Sequence, residues 1–169
     1  MIKVLWIDDD LSIVESHQIT AEGHGIDLCH FDNWQEGQEE LQKNFNDYSA
    51  IILDAHCVLN KGEATKDNFL ILVGRKLSVI FENKKAKIPW FIYSAGQAKI
   101  ANFDFISNSV IDEEDKSWGQ RIYKKTVIDD FEKLLTKIVE LAPQNENFKI
   151  KYQYSKLFEV LDCPDFIDP

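Results

Sequence analysis

Short apolar runs alternate with amphipathic segments along most of this chain. Three dense runs, 2–7, 50–53 and 90–93, contain almost no polar residue, which is typical of strands buried on both faces. Two more mixed segments, 26–31 and 121–125, have the length and residue types of further strands. The pattern therefore predicts five strands.

Between these strands, apolar residues recur at helical spacing. The segments 11–22, 34–46, 69–81 and 126–142 predict amphipathic helices, and a weaker one lies at about 100–106. Strands that alternate with helices favour a parallel sheet with right-handed crossovers and helices on both faces. We expect a doubly wound α/β fold of five strands in the flavodoxin-like order 2-1-3-4-5.

The length of the chain fits one domain with an appendage. Of the 169 residues, we assign 1–142 to the α/β domain, because Pro143 ends the last predicted helix. Residues 143–169 predict a mostly helical C-terminal extension, and the start of a longer protein is the alternative for this segment.

Composition narrows the function classes. The formal net charge of −10 argues against direct nucleic-acid binding, which needs concentrated Lys and Arg. No apolar run approaches the length of a membrane-spanning helix, and no basic region precedes the N-terminal apolar stretch. The three cysteines are far apart and lack a ligand spacing, so we expect reduced thiols and a cytoplasmic protein.

Polar residues follow several of the predicted strands at the point where each strand ends. Asp8 and Asp9 follow the first strand, Asp54 the third and Ser94 the fourth, and Lys124 lies at the end of the fifth. Parallel strands bring these ends to one edge of the sheet, where such folds bind ligands. Carboxylates suit Mg²⁺, a carboxylate can attack phosphorus, and an ammonium and a hydroxyl can offset phosphoryl charge.

This arrangement resembles the receiver domain of response regulators in two-component signalling, over residues 1 to about 142. The matching motifs are Ile7-Asp8-Asp9, Leu53-Asp54, Tyr93-Ser94-Ala95 and Tyr123-Lys124. The resemblance implies a signalling module rather than an enzyme. It implies Mg²⁺-dependent transfer of a phosphoryl group to Asp54 from a His-phosphorylated sensor kinase or phosphotransfer protein.

The resemblance also implies individual roles at the metal site. Asp9 would bind the metal directly together with Asp54, Asp8 would act through water, and the backbone carbonyl of His56 would be a further ligand.

The phosphoryl-binding residue and the switch position both depend on which of two adjacent lysines belongs to the site. We prefer Lys124 to Lys125 as the phosphoryl-binding residue, because the first buried helix residue in this family follows the lysine by seven, which is Phe131. Counting back three from Lys124 places Arg121 where the family has its switch aromatic. We expect Arg121 to pair with the acids of 112–115 in one state, or to stay solvated at the sheet edge. A homodimer through the last strand and the helices on either side of it is a further expectation.

Three alternatives remain open. Asp10 could cap the next helix while Asp8 and Asp9 are solvated loop acids. The triplet 8–10 also contains the Asp-x-Asp of haloacid-dehalogenase-like phosphatases, which would use Asp8 and Asp10. Finally, the loop 55–60 lacks the proline and glycine common in receivers, which leaves a scaffold that binds proteins without being phosphorylated.

Overall fold

Five parallel strands form one sheet in the order β2-β1-β3-β4-β5. The computed structural model describes residues 1–95 and 117–142 of the chain. The strands are β1 (Ile2–Ile7), β2 (Ile26–Phe31), β3 (Ala50–Leu53), β4 (Trp90–Ser94) and β5 (Ile122–Lys124). This order and the all-parallel pairing confirm the predicted doubly wound fold.

The helices alternate with the strands as the periodicity predicts. They are α1 (Leu11–Gly23), α2 (Trp34–Lys43), α3 (Phe69–Lys84) and α4 (Asp130–Leu141), and a short 3-10 helix (Phe45–Asp47) follows α2. The last helix begins four residues later than its pattern suggests, because residues 125–129 form a turn. The weak helix predicted at about 100–106 and the predicted extension 143–169 lie outside the described residues. No helix within 1–95 and 117–142 is long and apolar enough to cross a membrane.

The three inner strands are almost wholly inaccessible to solvent. Trp6, Ile52 and Phe91 are each 0% exposed, as expected for a sheet covered by helices on both faces. Helix α2 approaches the end of β1 closely at Gly37, where an added Cβ would come within 2.7 Å of Ile7 Cδ1. A glycine at this position therefore lets α2 pack directly under the residue that precedes the acid pair.

An aromatic layer joins three elements on one face of the sheet. His17 of α1 stacks on Phe131 of α4 with ring centroids 4.0 Å apart, and Trp6 lies against both rings. The His17 Nε2 is 2.9 Å from the hydroxyl oxygen of Tyr93. This layer fixes α1 and α4, the helices that begin beside the polar ends of β1 and β5, against the sheet.

Candidate functional site

The acids predicted at the strand ends come together. One carboxylate oxygen from each of Asp8, Asp9 and Asp54 lies within 4.8 Å of the others. They meet because β1 and β3 are adjacent, with Ile7 in register with Leu53. The alternative of solvated loop acids is wrong for Asp8, which is 0% exposed, whereas Asp9 faces solvent as that alternative expected. Asp54 is 7% exposed.

Asp54 is held on both sides of its carboxylate. Its backbone N–H donates to the Ile7 carbonyl at 2.9 Å, which extends the β1–β3 pairing by one residue. Its Oδ1 accepts from the backbone N–H of His56 at 3.3 Å, and its Oδ2 accepts from the Lys125 ammonium at 2.9 Å. These contacts fix the position of the Asp54 carboxylate within the acidic cluster.

The structure places Lys125, rather than Lys124, at the acid cluster. Lys125 Nζ lies 2.6 Å from Asp8 Oδ2 and 2.9 Å from Asp54 Oδ2, and the Lys125 side chain is only 7% exposed. The contact with Asp8 is an ion pair rather than a well-aligned hydrogen bond. Lys124, the predicted phosphoryl-binding residue, makes no such contact. Its backbone N–H donates instead to Asp130 Oδ2 at 2.9 Å.

The reason is the point at which β5 turns away from the sheet. Lys124 is still in the strand, in register with Ser94 at the end of β4, and its backbone N–H is held by Asp130. Lys125 is the first residue of the following turn, and its N–H donates to the Ser94 carbonyl at 3.1 Å. Counting back from Phe131 missed this because it placed the site lysine inside the strand.

Ser94 occupies the predicted place at the end of β4. It is 1% exposed, and its Oγ has no hydrogen-bond partner within the described part of the chain. A buried hydroxyl without a partner is uncommon, since such groups are normally hydrogen-bonded. Its hydroxyl is therefore available to a group that enters the site.

Arg121 does not lie solvated at the sheet edge. It is 7% exposed, and its Nε donates to the Trp90 carbonyl at 2.7 Å. The guanidinium carbon lies 4.3 Å from the centroid of the Trp90 ring and 4.8 Å from that of Trp118. Stacking on two indoles, together with a hydrogen bond, offsets the cost of burying the charge. The predicted pairing with the acids of 112–115 lies outside the described residues.

Counting from Lys125 instead of Lys124 moves the switch position by one residue. Three residues before Lys125 is Ile122, which is in register with Ile92 and lies on the Ser94 face of the sheet. Arg121 is adjacent to Ile122 and interacts at the start of β4, with Trp90. The position counted from the site lysine is therefore aliphatic, and the assignment of Arg121 to it was a consequence of choosing Lys124.

Backbone contacts, rather than a proline or glycine, hold the loop after Asp54. The N–H groups of Trp34 and Gln35, at the start of α2, donate to the carbonyls of Val58 and Leu59 at 3.0 and 2.9 Å. The Cys57 thiol is buried and donates to the Asp32 carbonyl at 3.5 Å. The first turn of α2 thus satisfies its free N–H groups with this loop, and the loop is fixed to the neighbouring β2–α2 connection.

Asp10 is a helix cap. Its Oδ1 accepts from the backbone N–H of Ser12 at 3.1 Å, and α1 begins at Leu11. Hydrogen bonds from Ser12 lower the pKa of the Asp10 carboxyl. This geometry disfavours the phosphatase alternative, which requires Asp10 to face the reacting group.

Burial and neighbouring charges shift the pKa values of Asp8 and Lys125 in opposite directions. Burial raises the pKa of the Asp8 carboxyl above its usual value, although Lys125 opposes the shift. Burial alone lowers the pKa of Lys125, but the charges of Asp54 and Asp8 outweigh it, so the pKa of Lys125 is raised. Lys125 therefore stays an ammonium, and it forms ion pairs with both buried acids, Asp8 and Asp54.

This donor set fits a hard divalent cation. Asp8, Asp9 and Asp54 offer only oxygen ligands, which Mg²⁺ prefers. Within residues 1–95 and 117–142, the three carboxylates lie beside one ammonium, that of Lys125, so the cluster keeps negative charge that a divalent ion would offset. The backbone N–H of His56 is engaged by Asp54, and the predicted ligand role of the His56 carbonyl stays a prediction.

Comparison with solved structures shows the fold of receiver domains. A response-regulator receiver domain from Clostridium thermocellum matches with a TM-score of 0.59 and 16% identity, over 85% of this chain and 96% of that one. The receiver domain of a Francisella response regulator matches at 0.57 and 18%, over 85% and 98%. A CheY-like receiver from Methanospirillum hungatei JF-1 matches at 0.57 and 18%, over 86% and 99%. No protein-family model and no curated protein matches the sequence.

Proposed function

We propose that this protein is a signalling receiver that accepts a phosphoryl group on Asp54. The observation that carries the proposal is the placement of Lys125, whose ammonium bridges Asp8 and Asp54 beside a third acid, Asp9. An acid cluster that serves only as a helix cap or a solvated loop does not need a buried cation at its centre. The receiver-domain fold supports the same assignment.

The chemistry is the transfer of a phosphoryl group from nitrogen to oxygen. A carboxylate oxygen of Asp54 attacks the phosphorus of a phosphohistidine on a sensor kinase or phosphotransfer protein. The O–P bond forms as the N–P bond breaks, and the imidazole leaves with the electron pair. The protein transforms no separate substrate, so we class it as a signalling module rather than an enzyme.

Residues of this chain stabilise the charge that moves with the phosphoryl group. The Lys125 ammonium already lies 2.9 Å from Asp54 Oδ2, where it can pair with a phosphoryl oxygen, and the buried Ser94 hydroxyl can donate to another. Mg²⁺, when bound, would supply further positive charge at the same place. Asp9 and Asp54 would hold it directly and Asp8 through water.

Apolar residues that border the site support a protein as phosphoryl donor. Leu11, Val127 and Ile128 are 53%, 40% and 96% exposed, and they lie just after the polar ends of β1 and β5. Exposed apolar groups beside a reactive acid are typical of a surface that another protein covers. A cytoplasmic location, where sensor kinases present their phosphohistidine, is part of the proposal.

The test is phosphorylation by a small donor. We expect wild-type protein incubated with acetyl phosphate and Mg²⁺ to gain the mass of one phosphoryl group in an intact-mass spectrum. Asp54→Asn and a sample with EDTA should gain none. Turnover of a generic phosphate ester by the wild type would favour the phosphatase instead. Absence of any mass gain with both acetyl phosphate and phosphoramidate would favour the unphosphorylated scaffold.

A further inference from the structure

A histidine on the neighbouring strand holds the backbone of the acid pair. His30 is the penultimate residue of β2, and its Nε2 lies 2.6 Å from the backbone carbonyl oxygen of Asp8. A carbonyl oxygen can only accept a hydrogen bond, so the His30 Nε2 carries the hydrogen and donates it. The ring is half-buried.

This bond completes a clamp on Asp8. The N–H of Asp8 donates to the Phe31 carbonyl at 3.1 Å, so β2 holds Asp8 through its backbone on both sides. The carbonyl that His30 binds belongs to the peptide group that joins Asp8 to Asp9. Its orientation restricts ψ of Asp8 and φ of Asp9, and with them the direction in which the Asp9 side chain leaves the backbone.

This clamp is relevant to cation binding because the ligand atoms of a Mg²⁺ site must be positioned accurately. Mg²⁺ requires near-octahedral oxygen ligands, and here one carboxylate oxygen from each of Asp8, Asp9 and Asp54 lies within 4.8 Å of the others. Asp54 is tied to β1 by its own N–H. In the turn that carries Asp8 and Asp9, the Asp10 N–H donates to Asp8 Oδ1 at 3.0 Å, and His30 adds the bond that holds the peptide group between the two acids. Groups that orient metal ligands strongly affect affinity.

We propose that His30 is a positioning residue of the cation site: its Nε2–H donates to the Asp8 carbonyl and thereby orients Asp8 and Asp9 toward Asp54. The inference rests on the proposed function only in its requirement for a divalent cation. It assigns to His30 a hydrogen bond to the backbone and no contact with the cation or the phosphoryl group.

The test compares Mg²⁺ affinity in the full chain by titration calorimetry. His30→Leu removes the donor, while His30→Gln places an amide N–H at a similar reach. His24→Leu, a half-buried histidine after α1 at the opposite edge of the sheet, is the matched control. We expect His30→Leu to weaken Mg²⁺ binding by about 3- to 10-fold. His30→Gln should stay within about 2-fold of wild type, and His24→Leu should be unchanged.

Urea unfolding without Mg²⁺ separates positioning from packing. A packing role would lower the stability of His30→Leu and leave its Mg²⁺ affinity as in wild type, which would overturn the inference. Equal loss of affinity in His30→Gln and His30→Leu would overturn it as well, because the donor would not be responsible. If His30→Leu does not fold, His30→Asn, whose amide is too short to reach the carbonyl, takes its place. Failure of the wild type to bind Mg²⁺ would overturn the cation site itself, together with this role for His30.

Discussion

Removing the Lys125 ammonium should destabilise the domain far more than removing its neighbour. In Lys125→Met the aliphatic stem is kept and the charge is lost, so Asp8 and Asp54 remain without their common cation. Lys124→Met makes the same chemical change one residue away, at a side chain that has no ion pair within the described residues. The difference in stability between the two variants therefore measures the contribution of the two ion pairs.

The magnitude follows from the two contacts. At 2.6 and 2.9 Å, and with an effective dielectric constant of about 20, each pair attracts by roughly 6 kcal/mol before the cost of desolvation. Loss of one partner of a buried pair typically costs about 3–5 kcal/mol. We expect the lower end, about 3 kcal/mol, because burial already raises the pKa of Asp8 and a proton can replace part of the lost charge. For a chain of this size that corresponds to a fall in Tm of about 6–12 °C.

The assay is thermal and urea unfolding of wild type and both variants, in EDTA and in Mg²⁺. Lys124→Met should stay within about 0.5 kcal/mol of wild type. Mg²⁺ should stabilise Lys125→Met more than it stabilises wild type, because the divalent ion replaces the missing positive charge. Equal destabilisation by the two substitutions, or wild-type stability in Lys125→Met, would refute the assignment of Lys125 to the site.

Three further predictions concern single side chains. Asp8→Asn should raise the stability of the metal-free protein at pH 7 by roughly 1 kcal/mol, because it removes a buried carboxylate whose pKa burial raises, while Lys125 keeps Asp54 as its ion-pair partner. It should also reduce the Tm gain with Mg²⁺, and a less stable metal-free variant would contradict this. Burial lowers the pKa of His17 below 6.5, so the unfolded state takes up the proton first and stability falls as pH drops through about 6.5. Urea unfolding at pH 7.5 and 5.5 should show a smaller loss for His17→Phe than for wild type, and equal losses would count against the shift. Burial raises the pKa of Cys57 to about 12, so a thiol reagent at pH 8 should label Cys57, identified by peptide mapping, only after unfolding; labelling of the native protein would show that the loop opens.

The fold and the acid cluster follow from short-range pattern. Apolar runs that end in Asp8 and Asp54 predict strands whose carboxyl ends face one edge, and parallel pairing then brings the acids together. No long-range information beyond strand order is needed for this step. The same reasoning placed Ser94 correctly at the end of β4.

Short-range sequence pattern could not decide between Lys124 and Lys125 as the lysine of the site. Lys124 and Lys125 are chemically identical neighbours, and the difference between them is set by where β5 ends and the turn toward α4 begins. A one-residue shift along a strand reverses the face of every side chain, and element boundaries are less certain than element types. The burial of Arg121 was missed for another reason, since Trp90, which it stacks on, is 31 residues away in the sequence.

The contact of His30 with the Asp8 carbonyl is predictable only in part from the sequence. A histidine one residue before the end of β2 is an ordinary feature of a half-buried strand. Only the register that pairs Trp6 with His30 and Ile7 with Phe31 brings its ring to the Asp8 carbonyl. Sequence pattern gives the residue but not the atom it reaches.

The most direct test of the central claim is the location of the phosphoryl group in the chain. Wild-type protein treated with acetyl phosphate and Mg²⁺ would be reduced with borohydride, which converts an aspartyl phosphate to homoserine, and then mapped by peptide mass spectrometry. The account predicts conversion of Asp54 alone, with none in Asp54→Asn. Conversion of Asp8 or Asp10 with Asp54 unchanged would contradict it, because these are the residues that the phosphatase reading of the acid triplet would use.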